Sequence, residues 1–307
     1  MKHIPVLLKE SITALKIKRT GIYVDGTFGA GGHSLEILKN IGKSGKLYAI
    51  DQDLSAVKLG KKIYDPRFFI KHGSFSERIK DIYIKHCNNK INGILLDLGV
   101  SSIQLNTANR GFSFMKDGLL DMRMNTSTGI PAWLWLKKSN QKKIEFVLKN
   151  FGEEKYAKKI SFSIIERNKQ KTITRTLDLV DIINKSIPRK YQHKHPATRT
   201  FQAIRIYINN EIQELKKILK ISIKILANKS RLVIICFHSI ENRIVKNFFK
   251  KYSQYPFFPK GFPITHKKMQ KYKNKKIKII KKIKPNQIEV KKNPRSRSAI
   301  LRIAEIL

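Results

Sequence analysis

Asp25-Gly26-Thr27-Phe28-Gly29-Ala30-Gly31-Gly32-His33 is the stretch from which the rest of the chain can be read. A short β-like run, Gly21-Ile22-Tyr23-Val24, precedes it. Residues 34–41 follow it with Leu35, Leu38 and Ile41 at helical spacing, and Gly42 stops the helix. Glycines between a strand and a helix let a ligand approach backbone N–H groups that a Cβ would shield. The acid at the head of the turn sets the polarity. A phosphate gains nothing from a carboxylate there, whereas a cation does. The dinucleotide fingerprint Gly-x-Gly-x-x-Gly/Ala is met by Gly29 and Gly31, but its third position is Ser34.

Outward from this turn, strand and helix patterns alternate. Residues 47–50 form a second strand ending at Asp51, and Asp53 is placed to cap a helix carrying Ala56, Val57 and Ile63. Residues 68–70 form a third strand ending near His72-Gly73, and 79–86 a helix. Residues 91–96 are nearly all apolar, as a strand buried on both faces should be, and end at Asp97. Alternating β and α units predict an α/β fold with a doubly wound parallel sheet and ligands at the C-terminal strand ends. Asp25, Asp51 and Asp97 are thus predicted to share one rim, in a chain with only 22 acids. Asp51, ending the second strand, is positioned to accept ribose hydroxyls. Phe75 suits the face of an adenine or the core. A negative seat for a cationic nucleoside fits S-adenosylmethionine, which carries a sulfonium and an ammonium. An acid with glycines four and six residues on is the looser glycine pattern of methyltransferases; the glycine often found two residues after that acid is Thr27 here.

The chain has 307 residues, 41% hydrophobic, enough for a large core or two. Its 64 Lys+Arg against 22 Asp+Glu give a net charge of +42, a field that attracts nucleic acid. Lysine, isoleucine and asparagine recur throughout, so part of that charge reflects an AT-rich coding bias. Cys87 and Cys236 form no CxxC pair, which argues against a zinc site and against a disulfide-stapled secreted fold; no metal is expected. No signal peptide and no run of about 20 apolar residues is found, so a reducing cytoplasm is the expected location.

After about Gln104 the pattern turns helical until about Asn210, with clear segments at 144–150, 156–168 and 177–185. Phe201, Ile204 and Ile208 open a helix expected to run on through Ile212, Leu215 and Leu219. Strand signals return at 232–237, then at 276–284 and 298–306, the last two expected to form a terminal hairpin turning at Asn293-Pro294-Arg295. The division is therefore a discontinuous α/β domain, 1–104 with 211–307, carrying a helical insertion at 105–210.

Longer blocks carry a resemblance. Asp25 to His33, Leu95-Leu96-Asp97-Leu98-Gly99-Val100-Ser101-Ser102 with Gln104, Arg110-Gly111-Phe112-Ser113-Phe114 and Asp121-Met122-Arg123-Met124 resemble the RsmH (MraW) family. So do His195-Pro196-Ala197-Thr198-Arg199-Thr200-Phe201-Gln202-Ala203, Phe237-His238-Ser239-Ile240-Glu241 and Asn293-Pro294-Arg295-Ser296-Arg297-Ser298, nearly end to end. The resemblance implies a Rossmann-like class I methyltransferase sheet with an inserted helical domain for substrate recognition. It implies S-adenosylmethionine-dependent methylation of N4 of one cytidine in the decoding region of 16S ribosomal RNA in the small subunit. For the cofactor it implies Gly31, Gly32, His33, Asp51, Phe75, Asp97 and Gln104; taken alone, Gln104 reads as a solvent-facing loop residue.

Many amino-methyltransferases place Asp/Asn-Pro-Pro-aromatic after the fourth strand; here Asp97-Leu98-Gly99-Val100 stands there. Asp97 is the catalytic candidate, serving the cofactor, the amine, or both, with carbonyls near Leu98-Gly99. The RNA must present an unstacked base. Phe112, Phe114 and Phe201 are stacking candidates, with core packing the alternative. Arg110, Arg123, Lys194 and Arg199 are phosphate candidates, His238 faces the Asp97 edge, and the basic run 267–284 suits an RNA backbone or a solvated face. A DNA amino-methyltransferase and a non-catalytic ribosome-assembly factor are the rival readings; a nicotinamide dehydrogenase is disfavoured by Ser34. Monomer and homodimer both remain open.

Overall fold

The computed structural model describes residues 4–86, 91–188, 195–254 and 275–307. Cys87, Lys194 and positions 267–274 of the basic run lie outside them. The chain divides into two compact units, Met1–Gly99 with Glu214–Leu307, and Val100–Gln213.

The first unit is built on a seven-stranded sheet in the order β3-β2-β1-β4-β5-β7-β6. Its strands are β1 (Ile22–Asp25), β2 (Lys46–Asp51), β3 (Phe68–His72), β4 (Ile91–Asp97), β5 (Leu226–Cys236), β6 (Ile277–Ile283) and β7 (Ile300–Ile306). The first five are parallel, and β7 runs antiparallel between β5 and β6. Parallel strands need crossovers, here α2 (Gly32–Asn40), α3 (Leu54–Gly60) and α4 (Phe75–His86), preceded by α1 (Leu8–Leu15). Alternation sorts the two faces. Val24, Tyr48, Ile50, Ile94, Leu96, Leu232 and Ile234 face one core, with Ile79 and Ile82 of α4. Tyr23, Leu47, Ala49, Leu95, Val233 and Ile235 face the other, with Leu15, Ile37 and Ala56 from the first three helices. Both faces are covered, which is why β4 is apolar at Ile94, Leu95 and Leu96.

The second unit is helical: α5 (Ser102–Asn106), α6 (Ala132–Lys138), α7 (Gln141–Gly152), α8 (Ala157–Gln170), α9 (Thr176–Ser186) and α10 (Ala197–Ile208). Trp135, Leu136, Ile144, Leu148, Ile160, Ile164, Ile183, Phe201 and Ile204 form its core. Ser101 caps α5 with its side chain.

Three local expectations are corrected. The long helix through Phe201 and Leu219 is two, α10 and α11 (Glu211–Ile225), because Asn210 turns left-handed (φ 51°) and the Asn209 side chain bonds Met122 O and Met124 N. Asparagine tolerates that conformation better than most residues. β5 begins at Leu226, six residues before its apolar run. The last two strands pair antiparallel, but they are joined by α13 (Gln287–Lys292) and a 3₁₀ turn (Pro294–Ser298) after α12 (Ser239–Ser253), not by a tight hairpin turn. Among the described residues no helix is long and apolar enough to cross a membrane.

Candidate active site

β1 lies between β2 and β4, so their crossovers leave the sheet in opposite directions, and a crevice opens at their C-terminal ends. The register brings the predicted acids to that edge. Asp25 pairs Ala49 and Leu95, Asp51 pairs His72, and Asp97 pairs Ile235. The three are not equivalent.

Asp25 is fully buried and turned inward. Ser34 Oγ donates to its Oδ2 at 2.7 Å and the Thr27 N–H to its Oδ1 at 3.1 Å. Ser34 is thus the residue that holds this acid, and Asp25 acts on a ligand through its charge. The Thr27 side chain serves both Asp25 and Asp97. Its hydroxyl accepts from the Asp97 N–H at 2.6 Å, tying the ends of β1 and β4 together.

Asp51 takes one backbone donor on each oxygen, Gly29 N–H at 2.7 Å and Asp53 N–H at 2.8 Å. A carboxylate has about four lone-pair sites, so it can still accept ribose hydroxyls. Burial, aided by the charges of Asp53 and Asp25, pushes its pKa up to about 6 against the pull of those two hydrogen bonds.

Asp97 is the least satisfied. Its Oδ1 is buried and without a hydrogen-bond partner among the described residues. Its Oδ2 lies 3.7 Å from His33 Nδ1, beyond hydrogen-bonding distance. Burial first, then the charges of Asp25 and Glu241, raise its carboxyl well above the usual range. Glu241 is an addition to the residues read from sequence. It is buried in a capping box: its Oε2 accepts the Phe237 N–H at 2.8 Å, and its N–H donates to His238 Nδ1 at 3.4 Å. The spacing His-x-x-Glu ahead of an apolar run is the signal that could have found it.

His33, 5% exposed, is fixed by an Nε2 contact to Val6 O at 3.1 Å. Gly31 caps α2 at φ 82°, a left-handed position where a Cβ would also meet Phe28 Cζ at 2.8 Å. A Cβ on Gly32 would collide with the Pro5 ring. Phe75 packs into the core beside Val24, Tyr48 and Ile50.

The other candidates divide. Gln104, in the helical unit, is not solvent-facing: it is 3% exposed, and its Oε1 accepts the Ser101 N–H at 3.0 Å. Phe112 and Phe201 are core residues of that unit, while Phe114 stacks on His195 at 4.5 Å. Arg110 donates to the carbonyls of Arg123 and Met124 at 2.9 and 3.0 Å and lies over the Phe112 ring. Arg123 is clamped by both oxygens of Asp121. Arg199 has no side-chain partner among the described residues, and His238 Nε2 lies 3.0 Å from Glu241 Oε1.

An unpartnered buried carboxylate oxygen, a second acid with lone pairs to spare, and a glycine turn closed to side chains fit a cationic nucleoside. This sheet order, with antiparallel β7 and acids ending β1, β2 and β4, defines a Rossmann-like methyltransferase dependent on S-adenosylmethionine. The model of the MraW methylase family matches residues 1–307, and the chain belongs to that family. It is 69% identical over 307 residues, all of both chains, to the ribosomal RNA small subunit methyltransferase H of Buchnera aphidicola subsp. Cinara cedri. The protein of the same name from subsp. Baizongia pistaciae is 56% identical over 304 residues, covering 99% of this chain and 96% of that one.

Proposed function

We propose that the protein methylates N4 of one cytidine in the decoding region of small-subunit ribosomal RNA. The observation that carries this reading is the buried, unpartnered Oδ1 of Asp97 at the end of β4, beside the turn that begins at Asp25. S-adenosylmethionine, when bound, supplies a methyl group on a sulfonium leaving group. The reading assigns it to Gly31, Gly32 and His33 at the turn, Asp51 for the ribose, Phe75 beside the adenine, and Asp97, with Gln104 carried over from the family resemblance alone.

A cytosine amine is a poor nucleophile because its lone pair is delocalised into the ring. Positioning supplies much of the rate. An acceptor at Asp97 Oδ1 would hold an amine proton and favour a more pyramidal nitrogen. In its ionised form the same carboxylate offsets positive charge that develops on that nitrogen. On the RNA side the reading uses Arg110, Phe112, Arg199 and His238. Arg199, whose guanidinium has no side-chain partner among the described residues, is the best suited to a phosphate.

The test is to incubate the protein with S-adenosylmethionine and undermodified small subunits, and to map the methylated nucleotide by mass spectrometry. Methyl on N4 of a decoding-region cytidine is expected, with no transfer to duplex DNA. Asp97→Ala is expected to lose about 10²-fold or more in single-turnover rate. Methylation at another atom, or near-normal turnover by that variant, would refute the corresponding assignment.

A further inference from the structure

At the opposite edge of the sheet, where the parallel strands begin, a cavity of about 280 Å³ is lined by Lys16, Lys18 and Lys229 together with Tyr23, Asn92 and Glu305. It is built by an irregularity. The step from Ile91 to Gly93 on β4 faces a step from Leu226 to Arg231 on β5, so residues 227–230 bulge out of the ladder. Bulges concentrate where a strand must re-aim side chains. Lys229 sits in this bulge at φ 62°, and Lys16, just past α1, at φ 49°. Both backbone positions suit glycine, and both carry an ammonium instead.

Two of the polar side chains that line it have used an acceptor and kept a donor. The Tyr23 hydroxyl, on a side chain 1% exposed, accepts the Lys18 N–H at 2.6 Å, and its own proton has no acceptor among the described residues. Burial keeps that phenol protonated. Asn92 Oδ1 accepts the Ile22 N–H at 2.8 Å, which leaves its amide N–H groups to spare. Glu305 is neutralised by buried Arg231 at 2.9 Å. Three lysines, a buried phenol and an amide then line one cavity, and the carboxylate among its lining residues is paired.

We propose that this cavity is an anion site for a phosphate-bearing ligand, separate from the seat of the methyl donor. Its volume lies just below the roughly 300–1,000 Å³ of small-molecule pockets and suits about one nucleotide. The phosphate comes either from a phosphodiester of bound RNA or from a free mononucleotide, and one experiment separates the two.

The variant is the double substitution Lys16→Gly, Lys229→Gly, which removes two ammoniums at left-handed positions and so preserves the backbone. Retained thermal stability and unchanged S-adenosylmethionine affinity check the fold. A free-ligand site predicts saturable binding of uridine monophosphate by wild type in calorimetry, weakened at least tenfold in the variant. An RNA site predicts instead that the slope of log affinity for small-subunit RNA against log salt falls in magnitude by about 1.4–1.8, near 0.7–0.9 per lysine. A folded variant in which neither quantity changes would overturn the proposal. Should it fail to fold, Lys18→Gln and Tyr23→Phe are read by the same two measurements, and the proposal falls if neither moves.

Discussion

Asp51 offers the sharpest test of how the site is wired. Its carboxyl is lifted from 3.8 to about 6 by burial and by the neighbouring charges of Asp53 and Asp25. At about 1.36 kcal/mol per unit, two units amount to roughly 3 kcal/mol of differential interaction against the ionised form. The folded pKa exceeds the unfolded one, so the folded chain binds the extra proton between pH 6 and 4. The contribution of Asp51 to stability therefore rises as pH falls through 6 and levels off below 4. Between pH 7 and pH 5 the gain comes to about 1.3 kcal/mol. Ribose hydroxyls need the ionised form as acceptor, so donor affinity runs the other way and falls about tenfold over the same interval. Asp51→Asn abolishes both trends. It also turns an amide donor toward one of the two backbone N–H groups, at a pH-independent cost of about 1–3 kcal/mol. The assay is chemical denaturation and S-adenosylmethionine calorimetry at pH 7 and 5, for wild type and Asp51→Asn. Asp25 and Asp97 titrate in both proteins, so the difference between them reads Asp51 together with its coupling to Asp25. A wild-type-minus-variant difference that stays constant with pH in both measurements would refute the account.

Two further perturbations probe the turn. Ser34→Ala leaves Asp25 Oδ2 buried without its hydroxyl donor, and should cost about 1–3 kcal/mol at pH 7 by urea unfolding. Because that hydrogen bond favours the ionised carboxyl, the loss should shrink toward pH 4. Gly31→Ala forces a Cβ into a left-handed position and against Phe28, costing about 1–2 kcal/mol. Melting temperature and S-adenosylmethionine affinity should fall together.

Much of the fold was legible because a doubly wound sheet writes its rules locally. Apolar runs at 47–50 and 91–96, each ended by an acid, needed only period and polarity to be recognised. The rim that gathers Asp25, Asp51 and Asp97 was legible for the same reason, since strand ends in a parallel sheet share one edge. What could not be read was the fate of each carboxylate. Asp25 and Asp51 look alike in sequence, yet one is fully buried against Ser34 and Thr27 and the other is only partly buried. That difference depends on side-chain orientation, which spacing does not encode. Gln104 is buried because it closes a capping box with Ser101, and the Ser-x-x-Gln spacing is the signal in the sequence that marks it. The break at Asn210 is hidden because apolar spacing continues through it, although the Asn209-Asn210 pair is itself a stop signal.

The charge distribution carries the remaining argument. A chain with net charge +42 must admit a cationic donor, and at long range its field opposes that. Beyond about 8–10 Å salt screens the opposition, while a carboxylate 4 Å from a cation is worth about 4 kcal/mol at intermediate dielectric before desolvation. Buried acids therefore prevail at short range without altering the exterior that RNA meets. Their placement also explains the raised pKa values. Asp25 is fully buried, and its charge lifts both Asp51 and Asp97. If the donor sits at this rim as proposed, its cation should relieve that mutual repulsion, and donor binding should release protons near pH 6 through Asp51.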